Sequence, residues 1–141
     1  MTAKQYLRQV KRLDDIVNAK LEQVHALRDL AARITSRPSV DGVQVSGNHD
    51  KTGDVIAKII DLERDINETV NRLIDLKREV ITNIDRVPTD DYRLLLTLRY
   101  LNFKTWEQIA VDMCYTYKWV HILHGRALEE FEKVLAERVA S

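Results

Sequence analysis

The 141 residues carry 22 Lys+Arg against 22 Asp+Glu, a formal net charge of zero that argues against indiscriminate nucleic-acid binding. No apolar run approaches the roughly 18 residues of a membrane span, and the N-terminus has no signal-peptide core, so no membrane association is expected. Cys114 is the only cysteine, which rules out an intrachain disulfide and a four-cysteine zinc site and makes the cytoplasm the expected location.

Leu7, Val10, Leu13, Val17, Leu21, Val24, Leu27, Ala31 and Ile34 recur every three or four residues and predict an amphipathic helix over about residues 3–34. Lys20 interrupts the seam, with Leu21 beside it as the expected substitute. Arg37-Pro38 stops the helix, because proline disfavours helical geometry in the residue before it. Residues 36–53, with Pro38, Gly42, Gly47 and Gly53, are read as a mobile loop, a functional loop or small hairpin being the alternatives. A second periodic stretch follows through Ile59, Leu62, Ile66, Val70, Leu73, Leu76, Val80 and Ile84, capped by Asp54 or Thr52, with Pro88 beyond its end. Each helix has about thirty residues, or about 45 Å, and neither can bury its stripe alone. An antiparallel hairpin, pairing with a second chain, or both would cover them, so a homodimer is expected.

From Thr89 the pattern changes to short helices over Tyr92 to Leu101, Thr105 to Met113 and Thr116 to about Arg138. Thr105 can cap the second with Gln108 answering, and Thr116 can cap the third. Ile109, Met113, Tyr115, Val120 and Leu123 are the positions that face inward if two short helices cross as a helix-turn-helix, with Ala110 small at the closest approach. Val120, Leu123, Ala127 and Phe131 point to the core, and Trp106 beside Ile109 is read as buried. Thr116, Tyr117, Lys118, His121 and Ile122 then face outward, where a recognition helix meets base edges. Trp119 lies between rim packing and DNA contact. Arg93, Arg99, Lys104 and Arg126 suit phosphate clamping.

Val87-Pro88 leading into Leu98-Arg99-Tyr100, then Trp106-Glu107-Gln108-Ile109-Ala110, then Thr116 through Val120 to Ala127-Leu128, resemble region 4 of bacterial sigma-70-type factors over about residues 87–131. With the long helical N-terminal half and His124-Gly125-Arg126-Ala127-Leu128, the chain is similar to small phage and prophage transcriptional regulators of the ArpU/RinA type. The resemblance implies binding to a promoter element like the −35 box and control of phage genes through host RNA polymerase. It places Thr116, Tyr117, Lys118, Trp119 and His121 where the sigma family contacts DNA. Cys114 stands where glycine is usual at the helix end, and Tyr117 and Trp119 replace basic positions. Segments that melt DNA or grip the polymerase core have no counterpart, so a complete sigma factor is not expected.

The expected fold is all-α: a long antiparallel, coiled-coil-like helical hairpin over 1–87, then a sigma-70 region 4-like helix-turn-helix domain over 88–141. The expected function is sequence-specific regulation of transcription on double-stranded DNA. A phage DNA-packaging recognition subunit and a protein adaptor of RNA polymerase are the rivals. No nucleophile–base pair, phosphate loop or metalloprotease motif is present, so neither catalysis nor a cofactor is expected. His121 and His124 lie three apart on one helix, but a zinc site would need two further ligands. Cys114 is read as a small buried residue of the turn.

Overall fold

The computed structural model describes residues 1–36 and 45–140, and of residues 45–50 the backbone alone. It comprises α1 (Ala3–Ser36), α2 (Val45–Asp85), α3 (Asp90–Leu96), which runs into a π turn (Thr97–Leu101), α4 (Trp106–Met113) and α5 (Tyr117–Ala140). Among the described residues there is no strand, and no helix is long and apolar enough to cross a membrane. By its contacts the chain divides into two compact units, Asp14–Arg72 and Met1–Leu13 with Leu73–Ser141. The ends of the two long helices thus belong with the three short ones.

Asp14–Arg72 is a pair of helical segments. Val17, Val24 and Ile66 are its buried apolar cluster, with Ile59, Leu62 and Val70 partly buried around them. Lys20 meets Thr69 and Asp65, and Arg28 meets Glu63, so rising numbers on one segment match falling numbers on the other and the pair is antiparallel. The expected substitution of Leu21 for Lys20 is reversed. Leu21 is 41% exposed, whereas the Lys20 ammonium reaches Thr69 Oγ1 at 3.2 Å and Asp65 Oδ2 at 2.8 Å. A lysine stem can line an apolar seam while its charged end finds partners at the edge.

From Val45 onward the stretch expected to be a mobile loop is helical. Residues 37–44 lie outside the described residues, but α2 already begins at Val45, so Thr52 and Asp54 are interior to the helix and are not its caps. Adding turns to a long helix costs only propagation, which overrides the weak preferences of Gly47 and Gly53.

The larger unit has two apolar clusters. In one, Leu7 and Val10 of α1, Val80 and Ile84 of α2, Val87, Leu96, and Ala127 and Phe131 of α5 are all essentially inaccessible. Each of these side chains other than Ala127 contributes about 1.5–3 kcal/mol by leaving water. The Tyr6 and Phe131 rings lie 6.0 Å apart. Asn83, also buried, donates to the Tyr6 hydroxyl at 3.1 Å and accepts from Arg138, so its amide is satisfied at both ends. Burial and the nearby Glu79 push the Tyr6 hydroxyl up to about 12, so it stays protonated.

In the other cluster Leu95 and Leu98 meet Ile109 of α4 and Val120 and Leu123 of α5. The α3 segment therefore divides its apolar residues, since Leu96 and Tyr100 face the first cluster. Thr89 makes no side-chain cap, but Asp90 and Asp91 occupy the first turn of α3, where carboxylates favour the helix dipole. The π turn closes with the Asn102 N–H on Thr97 O at 3.0 Å, and the Lys104 N–H then returns to Leu98 O.

Candidate functional site

Trp106 to Met113 are helical because Thr105 and Gln108 satisfy each other's backbone. The Gln108 N–H donates to Thr105 Oγ1 at 3.2 Å, and the Thr105 N–H donates to Gln108 Oε1 at 3.0 Å. This reciprocal arrangement settles two of the amides a helix start leaves unpaired. The helix ends at Cys114, whose φ of 59° is left-handed. The Tyr115 N–H bonds Ala110 O at 3.0 Å and the Cys114 N–H bonds Val111 O at 3.2 Å, a Schellman closure with cysteine where glycine is the easier residue. Two residues on, Thr116 Oγ1 accepts the Trp119 N–H at 3.1 Å and starts α5.

Ile109, Val120 and Leu123 are buried as expected, Met113 and Ala110 are half-buried, and Ala127 and Phe131 are buried further along α5. Two inward assignments need correction. Tyr115 is exposed, because its hydroxyl donates to Asp91 Oδ2 at 2.6 Å and ties the turn to α3. That bond and the carboxylate charge raise its pKa. Cys114 is exposed as well, since the left-handed backbone turns it off the core face.

The outward face of α5 begins with Thr116, Tyr117, Lys118, Trp119, His121 and Ile122, all exposed. Three of these are large and partly apolar, with Tyr117 50%, Trp119 36% and Ile122 39% accessible. His121 is less free than its exposure implies. Its ring lies 4.5 Å from Tyr117 and 4.8 Å from Trp106. Trp106, half-buried instead of buried, is the hub of this group: Arg99 covers its ring at 4.3 Å and His124 meets its edge at 4.5 Å.

The four residues expected to clamp phosphate occupy different settings. Arg93 donates to Val87 O at 2.5 Å and pairs with Asp90, so it braces the start of α3. Arg99 donates to Lys104 O at 2.9 Å, and Lys104 pairs with Asp112 of α4. Arg126 is exposed, its guanidinium 5.3 Å from the Trp119 ring. Arg126 and Lys118 thus share the accessible side of α5, while Arg93 and Lys104 hold the scaffold.

His124 is buried behind this face, its Nε2 paired with the Tyr100 hydroxyl at 2.6 Å. Desolvation first, then Lys4, Arg99, His121 and Arg8, lower its pKa to about 4, so the ring is neutral at pH 7. Burial raises the Tyr100 pKa, so the phenol keeps its proton and can donate it to a neutral ring.

Lys4 and Arg8 of α1 reach the neighbourhood of His124, although sequence reasoning gave α1 only a pairing role. A signal was available: residues 1–13 hold Lys4, Arg8, Lys11 and Arg12 and no carboxylate. Among the described residues no group of three or more His, Cys, Asp or Glu is placed to hold a metal ion.

No curated protein and no solved structure matches the chain. Residues 33–132 match a family described as "protein of unknown function (DUF1492)", and since they make up most of its length, the chain belongs to that family.

Proposed function

We propose that the protein is a DNA-binding transcription regulator of phage or prophage type, similar to the ArpU/RinA regulators, in which α4 and α5 act as a sigma-70 region 4-like helix-turn-helix. The observation that carries this reading is the accessible face of α5, from Thr116 to Ile122, set on a capped and tightly turned helix pair. A helix anchored by Val120 and Leu123 and presenting Lys118 beside exposed aromatic and hydroxyl groups can enter a major groove. Lys118 can donate to guanine O6 or N7, and Tyr117 and Ile122 can contact thymine methyls. Arg126 and Arg99 supply phosphate contacts that fix register. The protein works as a binding module and not as an enzyme.

A single short helix makes a small interface. Two heads in a homodimer, on half-sites about 34 Å apart, would raise affinity through effective concentration. The exposed Leu21, Leu30, Ile56 and Ile60 of the paired-helix unit supply apolar surface for such an association.

Gel-shift titration against the upstream fragments of its own genome tests the reading. Specific retention is expected, and equal affinity for scrambled duplex of the same composition overturns it. Lys118→Ala is expected to weaken binding by about 1–3 kcal/mol with helicity unchanged. A second reading is favoured by the balance of the same face, where Tyr117, Trp119 and Ile122 outnumber the single Lys118. In it α5 docks on RNA polymerase as an adaptor. Capture of the polymerase without affinity for any duplex would select it.

A further inference from the structure

We propose that the cleft between the first turns of α1 and the π turn, lined by Arg8, Lys11, Arg99, Tyr100 and Phe103, binds a single phosphate group. Three of these five side chains are cations and none is a carboxylate. Lys4, Arg8 and Lys11 are spaced by four and three residues, so α1 presents them on one face. Arg99 comes from the opposite wall, within the same compact unit. One of its donors is spent on Lys104 O, which leaves the rest of the guanidinium fork available for an oxyanion. Lys11 has another interaction as well, and Arg99 also lies over the Trp106 ring, which leaves the in-plane donors at the guanidinium edge for an oxyanion. Arg8 and that edge are therefore the principal anchors.

Size sets the class of ligand. The cavity measures about 150 Å³. That is below the range of roughly 300–1,000 Å³ in which whole small molecules are enclosed. A phosphate fits, and whatever carries it stays outside.

The backbone around the cleft is also unusual. Arg99 and Tyr100 belong to the π turn, a geometry enriched at functional sites. Phe103 has a φ of 57°, which a bulky residue adopts only when its surroundings hold it there. Its ring lies 5.4 Å from the Lys11 ammonium and 5.9 Å from that of Lys77, so the aromatic wall itself gathers cations. Converging positive charges repel each other, and a bound oxyanion relieves that repulsion.

The phosphate could be free, or part of a nucleic-acid backbone held beside α5. The site itself does not require that α5 read DNA. Arg8 and Lys11 precede the part of the chain matched by the family, whereas Arg99, Tyr100 and Phe103 lie within it.

Nuclear magnetic resonance of the full chain, titrated with inorganic phosphate at fixed ionic strength and separately with a random-sequence duplex, tests the proposal. The Tyr100 and Phe103 amides are expected to shift saturably with phosphate and not with added chloride. Arg8→Gln with Lys11→Gln should weaken that response about tenfold. Arg8→Lys should restore part of it, and the exposed Lys133→Gln should leave it unchanged. Loss of the phosphate response when duplex is present supports a backbone phosphate as the natural ligand; its persistence supports a free phosphate or a monoester. Absence of saturable shifts at Tyr100 and Phe103 in both titrations overturns the proposal, even if the duplex shifts α5. Saturation by phosphate with no duplex binding upholds the cleft while removing the DNA reading.

Discussion

The two compact units are built from the same long helices but held in different ways. Met1–Leu13 with Leu73–Ser141 contains Leu7, Val10, Val80, Val87, Leu95, Leu96, Ile109, Val120 and Phe131 at zero exposure. Among the described residues of Asp14–Arg72 no apolar side chain is so fully withdrawn, and the unit relies on Val17, Val24, Val55 and Ile66 with ion pairs at its edge. Periodicity alone therefore does not measure how firmly a helix is held. What differs is the number of elements converging on it, because a stripe covered by one neighbour stays partly wet. In the larger unit several helices converge on the inner side of α5, whereas in the paired segments each stripe meets a single neighbour.

The largest effect should come from Phe131→Ala, expected to cost about 3–5 kcal/mol and to unfold the whole larger unit. Val24→Ala in the paired helices should cost only about 1–2 kcal/mol. Denaturant melts of both variants check the ratio, and equal losses would erase the distinction between the units. Hydrogen exchange sharpens it further, with α5 amides opening only globally and residues 14–36 opening at lower free energy.

Acid should act on the larger unit. The His124 pKa of about 4 lies below the usual 6.5 of an unfolded chain. Between these values the unfolded state binds more protons, so stability rises with pH there. The contribution is fully present above about pH 6.5 and is lost as pH falls toward 4, amounting to about 1–2 kcal/mol once solvent screening is allowed for. Thermal midpoints at pH 7 and pH 5 measure it, and His124→Gln should flatten that dependence.

A smaller change is expected at the polar seam of the paired helices. Lys20→Met removes an ammonium that bridges Thr69 and Asp65, yet Thr69 still donates to Asp65 O at 2.9 Å and the Asp65 carboxylate remains half-exposed. Stability should stay level or rise by about 1 kcal/mol. A loss of several kcal/mol would show that the pair holds the unit together.

The smallest effects concern two glycines inside helices. A Cβ at Gly53 or Gly125 would meet nothing within 4 Å, so alanine should stabilise either helix by about 0.5–1 kcal/mol. Gly125→Ala should raise the global melting point, whereas Gly53→Ala should slow exchange only around its own turn. Identical global gains would mean that the two units unfold as one.

Local chemistry was legible in the chain. Thr105 and Gln108 lie three apart and cap each other, Thr116 caps α5, and the seam through Leu7, Val10, Val17 and Val24 is buried as its spacing implies. What escaped depends on partners distant in sequence. Lys20 takes the seam position only because Thr69 and Asp65 receive its ammonium, and Tyr115 turns outward because Asp91 holds its hydroxyl. The early start of α2 also escaped, since Gly47 and Gly53 look like loop residues until a long helix carries them. The cationic cleft needed α1 and the π turn brought together, which no local pattern announces; the four cations before Asp14 were its only trace.

The most direct test of the account is to map which amides respond when a duplex from the region upstream of the gene is added to the full chain. Changes concentrated on Thr116 to Ile122, and much weaker with a scrambled duplex, are the predicted result. If α5 is silent while binding still occurs, or if both duplexes perturb it alike, the assignment of α5 as the sequence-reading helix is wrong.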